Sequence, residues 1–212
     1  MLLLLSALVA CDGGTTTYRG TQISGFFPYD GQRTAEYVNE APEAVPWKLV
    51  VEKIEPTERV GDLEIVTFEW SKKEGSEITG IVGSVKWSSV DGDGVQIHGY
   101  SVGTEAVVTF DPPVQVSDDD DYMLVGDSVQ TETGGYTFTS TFVGVEDCPV
   151  QWGLDWEDCL HFTIDDGDGD DNAGPIFAGD YWVVQRYGPA WMHLTGYEAK
   201  WNLAHYEWSA DE

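Results

Sequence analysis

Tyr136-Thr137-Phe138-Thr139-Ser140-Thr141-Phe142 puts Tyr136, Phe138 and Phe142 on one phase and threonines 137, 139 and 141 on the other. Successive side chains of a strand point to opposite faces, so this period of two specifies an antiparallel strand buried on one side only. The pattern recurs upstream. Val66, Phe68 and Trp70 alternate with Thr67, Glu69 and Ser71, and Ala106, Val108 and Phe110 alternate with Glu105, Val107 and Thr109. Turn formers punctuate the runs at Gly61-Asp62, Asp91-Gly92-Asp93-Gly94, Asp111-Pro112-Pro113, Gly134-Gly135 and Gly196-Tyr197. Helical periodicity is absent, with room for a helical turn or two only at residues 33–40.

The last hairpin tests the reading. With Gly196-Tyr197 as a two-residue turn, Thr195 faces Glu198, Leu194 opposes Ala199, Met192 opposes Trp201 and Ala190 opposes Leu203. That register gathers the apolar residues on one face and leaves Trp191, His193, Lys200 and Asn202 on the other. Roughly ten such strands predict a mainly β protein, a single antiparallel, strongly curved sheet or barrel, with a two-sheet β-sandwich as the alternative.

The chain has 212 residues, 42% hydrophobic and 13% aromatic with nine Trp, enough apolar surface to fold as one domain. It carries 38 acidic against 10 basic residues, a net charge of -28, and no Lys or Arg between Lys86 and Arg186. Such a field repels phosphates and collects cations, which argues against nucleic acid as a partner. Either the acids form a solvated face or some of them hold an ordered cation.

The N-terminus reads Met1-Leu2-Leu3-Leu4-Leu5-Ser6-Ala7-Leu8-Val9-Ala10-Cys11-Asp12-Gly13-Gly14. The apolar run is too short to span a hydrocarbon core, which needs about 20 residues. It resembles the signal peptide of a bacterial lipoprotein, with Leu8-Val9-Ala10-Cys11 as lipobox, although no Lys or Arg precedes it. The resemblance implies cleavage of residues 1–10, lipidation of Cys11, a flexible tether over 11–24 and a β-rich domain over 25–212. It places the protein in the bacterial cell envelope, attached to a membrane through its lipid anchor, with the outer membrane favoured over the inner.

The domain carries a second resemblance. Phe26-Phe27-Pro28-Tyr29 with Gly31 and Tyr37, and Tyr181-Trp182 with Tyr187-Gly188-Pro189, are similar to the opening and closing motifs of a broad group of Gram-negative envelope lipoproteins without established activity. The chain departs from that group at Ala35, where Trp is usual, and at Pro189-Ala190, where a Gly-x-Val element is usual. Membership would imply an anchored β-rich domain.

With Cys11 as anchor, Cys148 and Cys159 remain, flanking a loop that holds Trp152 and Trp156. An exported protein meets an oxidising compartment, so a disulfide is expected. Zinc is a weak alternative because only His161 lies close by.

Nucleophile elbows, His-Glu-x-x-His, Gly-rich phosphate loops and Cys-x-x-Cys pairs are missing. His98 sits between Gln96 and Tyr100 on a polar strand face, and His161, His193 and His205 lack a Ser or Cys at motif spacing. The local site candidate is Asp165-Asp166-Gly167-Asp168-Gly169-Asp170-Asp171-Asn172. Asp166, Asp168 and Asp170 alternate like the first ligands of a calcium loop, although Asp171 replaces its Gly and Phe177 its bidentate Glu. Calcium is therefore the candidate cofactor, against an acidic loop tip that needs no metal. Asp118–Asp121 and Asp91-Gly92-Asp93-Gly94 rank below it.

Trp182, Trp191, Trp201 and Trp208 crowd the C-terminal end. They read as core or hairpin pairs, or, lining a concave sheet, as a site for an apolar or glycan ligand. The sequence favours a noncatalytic binding or structural lipoprotein. The alternative is an envelope hydrolase acting on glycan or lipid through carboxylates.

Overall fold

The computed structural model describes residues 21–26, 32–43, 45–90, 94–118, 122–149, 158–167, 175–185, 187–195 and 199–209. In chain order the strands are β1 (Thr21–Gln22), β2 (Gln32–Asn39), β3 (Lys48–Val60), β4 (Leu63–Glu74), β5 (Glu77–Val90), β6 (Gly94–Val102) and β7 (Val108–Gln115). They continue as β8 (Tyr122–Met123), β9 (Ser128–Thr133), β10 (Tyr136–Glu146), β11 (Cys159–Asp165), β12 (Gly179–Val184), β13 (Gly188–Leu194) and β14 (Lys200–Ser209). One short 3-10 turn, Ser24–Phe26, follows β1.

Twelve strands form one antiparallel sheet in the order β7-β6-β5-β4-β3-β2-β14-β13-β12-β11-β10-β9. The chain runs up and down, and β14 pairs with β2 from Trp201↔Asn39 to Ser209↔Gln32, joining the two ends of the meander. The edge strands β7 and β9 come side by side, where the Gln115 amide donates to Thr131 Oγ1 at 3.1 Å. Just past β7, Ser140 Oγ on β10 donates to the Val116 carbonyl at 2.7 Å. The sheet is thus nearly closed into a barrel. The segments β1 and β8 pair separately, Thr21↔Met123 and Gln22↔Tyr122. Residues 21–24, the end of the expected tether, are therefore part of the fold.

The alternating runs build the wall as read. On β10, Phe138 and Phe142 are buried while Thr137 is exposed and Thr139 and Thr141 are partly so. The closing hairpin has the anticipated register, with Met192↔Trp201, Trp191↔Asn202 and His193↔Lys200; its turn residues 196–198 lie outside the described residues. Most inward-facing side chains are apolar and most outward-facing ones polar, with Arg33 inside and Trp182 and Trp191 outside as exceptions. Among the described residues no helix is long and apolar enough to cross a membrane.

Four local expectations are corrected. Residues 33–40 hold no helical turn: they form most of β2, because Arg33, Ala35, Tyr37 and Asn39 are buried on one phase and Thr34, Glu36 and Val38 less so on the other. Asp111-Pro112-Pro113 lies inside β7 and makes no turn. The ladder to β6 jumps from Thr109↔Gly99 to Val114↔Ile97, so prolines that cannot donate sit out of the pairing on an edge strand. A separate bulge in the β5–β6 ladder, where Lys86↔Gly99 is followed by Trp87↔Ile97, turns Tyr100 inward, off the phase it would share with Gln96 and His98. In the run before β7, Ala106 precedes the strand and only Phe110 is buried.

A barrel of about eight strands is just filled by its own side chains, so twelve enclose more space. Ile176 and Phe177, between β11 and β12, fill part of it from one end. The Phe177 ring lies 5.5 Å from Phe138, 5.7 Å from Tyr100 and 6.0 Å from Phe110. Ile23 and Met123, from the β1–β8 ribbon, are also fully buried in the core. Each such side chain contributes about 1.5–3 kcal/mol of transfer free energy.

Candidate functional site

Among the described residues, these inserts leave a sector of the interior open. A small cavity of about 80 Å³, open to solvent at its mouth, is bounded by residues of β2–β5 and β12–β14. Ala35, Val51, Phe68, Trp70, Trp87 and Met192 supply an apolar wall. Alternation on β4 points Phe68 and Trp70 the same way, and Trp87 reaches the space from β5.

The polar groups of the lining are mostly tyrosine hydroxyls, and two of them are engaged with backbone. Tyr37 Oη donates to the Pro189 carbonyl at 2.9 Å, and Tyr181 Oη donates to the Phe177 carbonyl. Burial raises both hydroxyls well above the ordinary phenol range, reinforced at Tyr37 by Tyr206 and at Tyr181 by Tyr37 and Asp180. Both remain neutral donors, and the wall around them is effectively apolar.

One end of the cavity differs. Arg33, only 8% exposed, lines it and donates through Nη1 to the Tyr206 hydroxyl. Tyr187 packs edge-on against Tyr206 with ring centroids 5.3 Å apart. Alone among the lining residues, Tyr187 is exposed, 43% of its surface, which places the mouth at the β12–β13 connection. Among the described residues no Asp, Glu or His lines the cavity.

Histidines and carboxylates meet instead on the outside of the wall. His161 stacks on Trp182 at 3.6 Å, and Glu146 lies 3.2 Å from His161 Nδ1 while accepting from Trp182 Nε1 at 3.3 Å. Asp180 stands 4.0 Å from His161 Nε2 and 3.9 Å from His193 Nδ1. This is a row of cross-strand neighbours on an outer sheet face rather than a cleft around a bond to be cut. His98, also on the wall, bonds Ser88 Oγ at 2.8 Å, and its burial lowers its pKa.

Of the residues singled out in the sequence, Cys148 and Cys159 are joined in a disulfide. Cys159 is fully buried against Val184 and Ala190. Cys11, Trp152, Trp156, Asp168 and Asp170 lie outside the described residues. Asp166 is described and is 5% exposed, just past the end of β11. Its charge adds to burial and to the Tyr136 hydrogen bond in pushing the Tyr100 hydroxyl up to about 12. Among the described residues no group of three or more His, Cys, Asp or Glu is arranged to hold a metal. The tryptophans divide: Trp70 and Trp87 line the cavity, Trp201 packs on Trp47 at 4.7 Å, and Trp182 and Trp191 sit on the outer face. Sequence reasoning did not find Arg33, Tyr187 and Tyr206. The available signal was Arg33 on the apolar phase of β2, which the helical reading of that stretch hid.

The chain matches no protein family model, no curated protein and no solved structure.

Proposed function

We propose that this is a lipid-anchored protein of the bacterial cell envelope whose barrel binds an apolar ligand without chemically altering it. The observation that carries the reading is the aromatic cavity within the barrel, with the Tyr37 and Tyr181 hydroxyls engaged and, among the described residues, no carboxylate or imidazole in its wall. Small-molecule sites are concave and mostly apolar with a few placed polar groups, and this cavity has that composition. A hydrolase using carboxylates would need them facing the bound substrate. Lipidation at Cys11 would tether the domain to the membrane, the outer membrane being favoured, and an acyl-carrying cysteine also suits a protein that exchanges apolar molecules with a bilayer. Calcium at Asp166, Asp168 and Asp170 would be a structural accessory to that role.

Titration with the neutral fluorescent probe N-phenyl-1-naphthylamine tests the binding role. The protein should enhance and saturate its fluorescence, and Ala35→Phe, which fills the space, should abolish the signal while the protein stays folded. No saturable enhancement, or an unchanged signal in the filled variant, refutes the reading. For the anchor, Cys11→Ala should release the domain into the soluble fraction, whereas an unmodified, uncleaved N-terminus in the native host refutes it.

A further inference from the structure

The ladder registers assign each connection to one end of the barrel. Val60↔Leu63, Val90↔Gly94, Val184↔Gly188 and Ser209↔Gln32 put the β3–β4, β5–β6 and β12–β13 connections and the start of β2 at the same end. The cavity mouth, marked by Tyr187, opens there. The first described residues lie at that end too, since Ser89 Oγ, near the end of β5, donates to the Ser24 carbonyl at 3.2 Å. Ten residues lead from Cys11 to Thr21 and reach at most about 35 Å, whereas β5 alone, with 14 residues, runs about 45 Å along the strand. An anchor at Cys11 therefore holds the mouth-bearing end nearer to a membrane than the opposite end. Apolar side chains stand in water at this end. Val125, 68% exposed, and Leu124 occupy a turn in which the Asp127 amide donates to the Leu124 carbonyl at 2.9 Å. That turn precedes β9, whose other end meets β10 at Thr133↔Tyr136, so it lies on the mouth side. Val60, beside the β3–β4 turn, is exposed as well. The opposite end exposes Ile78, Ile81 and Val102, so apolarity alone does not choose between the ends; the tether does.

We propose that the mouth-bearing rim is a docking surface for the phospholipid bilayer that holds Cys11, with the Leu124–Val125 turn and Tyr187 entering its interface. The proposal rests on the lipidation reading above and adds which face of the barrel meets the membrane. Acyl chains on the cysteine supply the attachment, so the rim has only to bias the orientation of a domain already held close. Withdrawing the valine and leucine side chains from water favours contact, and a tyrosine ring suits the headgroup level, where one end is apolar and the other wet. Asp62 and Asp127 stand in turns of the same rim, so zwitterionic headgroups suit it better than anionic ones. In this orientation the cavity faces the bilayer, and an apolar ligand enters it without crossing bulk water.

The test uses the full-length lipidated protein on phosphatidylcholine vesicles that contain a nitroxide-labelled lipid. A nitrobenzoxadiazole dye is attached in turn at Val125→Cys and Val60→Cys on the mouth-bearing rim and at Ile78→Cys on the opposite one. All three side chains are exposed, so the substitutions leave the core intact, and the bridged Cys148 and Cys159 do not take the dye. On the vesicles the dye at 125 should shift its emission to the blue and be quenched by the nitroxide, the dye at 60 should be quenched more weakly, and the dye at 78 should show neither change. Equal quenching at the two rims, stronger quenching at 78, or none at any position overturns the proposal. With the dye at 60, adding Leu124→Asp and Val125→Asp should reduce its quenching, and unchanged quenching there also overturns the proposal. Vesicle flotation of the unaltered protein keeps the two readings apart. A protein that does not float defeats the anchor and the proposal together, whereas flotation without rim-specific quenching defeats the docking surface alone.

Discussion

Gly179 illustrates how a single residue holds the wall together. Its φ is +148°, and a Cβ there would fall 2.3 Å from the His193 carbonyl oxygen and 2.7 Å from Leu194 Cα. Both atoms are backbone of the neighbouring β13, so relief requires the ladder itself to move. Gly179→Ala should destabilise the protein by at least about 2 kcal/mol, lowering Tm by several degrees. Gly80→Ala, on β5 with nothing within 4 Å, should be close to neutral in the same thermal unfolding experiment. Glu36 makes the complementary electrostatic case on the outer face, bonded to both Lys48 and Lys73. Burial pushes its carboxyl up, but the two lysines outweigh burial and hold it below the ordinary value of 4.5. A depressed folded-state pKa gives stability that is present above the unfolded value and lost as pH falls through the folded one. Urea unfolding should therefore find Glu36→Gln less stable by up to about 1 kcal/mol at pH 7, since partly exposed pairs are worth little, with the difference gone at low pH. A difference unchanged at pH 3 would remove the ion pairs as its cause.

At the scale of elements, the sequence was most readable where side-chain period and turn chemistry agreed. In the β13–β14 hairpin a Gly-first turn and an apolar phase require the same register, and Met192 does face Trp201. Reading failed where a local signal competed with tertiary context. Residues 33–40 carry Arg, Glu and Ala, good helix formers, yet their alternate burial between β3 and β14 makes them a strand. Asp111-Pro112-Pro113 has turn chemistry, but an edge position lets prolines stay within a strand. The Cys148–Cys159 bridge was legible because the N-terminal resemblance implied an oxidising compartment and left these two cysteines without another use, and it fastens the start of β11 to the segment after β10. Closing a loop of this length contributes about 2–3 kcal/mol, mainly by restricting the unfolded chain. Replacing Cys148 and Cys159 together by Ala should cost that amount in equilibrium unfolding under nonreducing conditions. Quantitative thiol labelling of both cysteines in the denatured, unreduced protein would show that the bridge does not form.

Barrel closure and the cavity belong to the whole molecule, and neither is written in any one segment. Arg33, Phe68, Trp87, Tyr187 and Tyr206 come together only because β14 pairs with β2. The charge distribution has the same origin. Strands β6, β7 and β9–β13 carry no Lys or Arg, and the ring order makes them contiguous across the seam, opposite β2–β5 and β14, which hold the strand-borne cations. One side of the barrel thus carries carboxylates with no strand-borne Lys or Arg among them, and the repulsion of so acidic a chain weakens the folded state and is screened over about 8–10 Å at moderate ionic strength. Sodium chloride alone should raise Tm. Asp166 stands at the end of β11 on that side, in the stretch that continues to Asp168 and Asp170. A calcium ion bound there by the folded protein only would add stability that grows with its concentration beyond any screening. Millimolar calcium should then raise Tm above the value reached with sodium chloride at equal ionic strength, and Asp168→Asn should remove most of the excess. If sodium reproduces the whole shift, the loop is a screened acidic surface and calcium has no site in it.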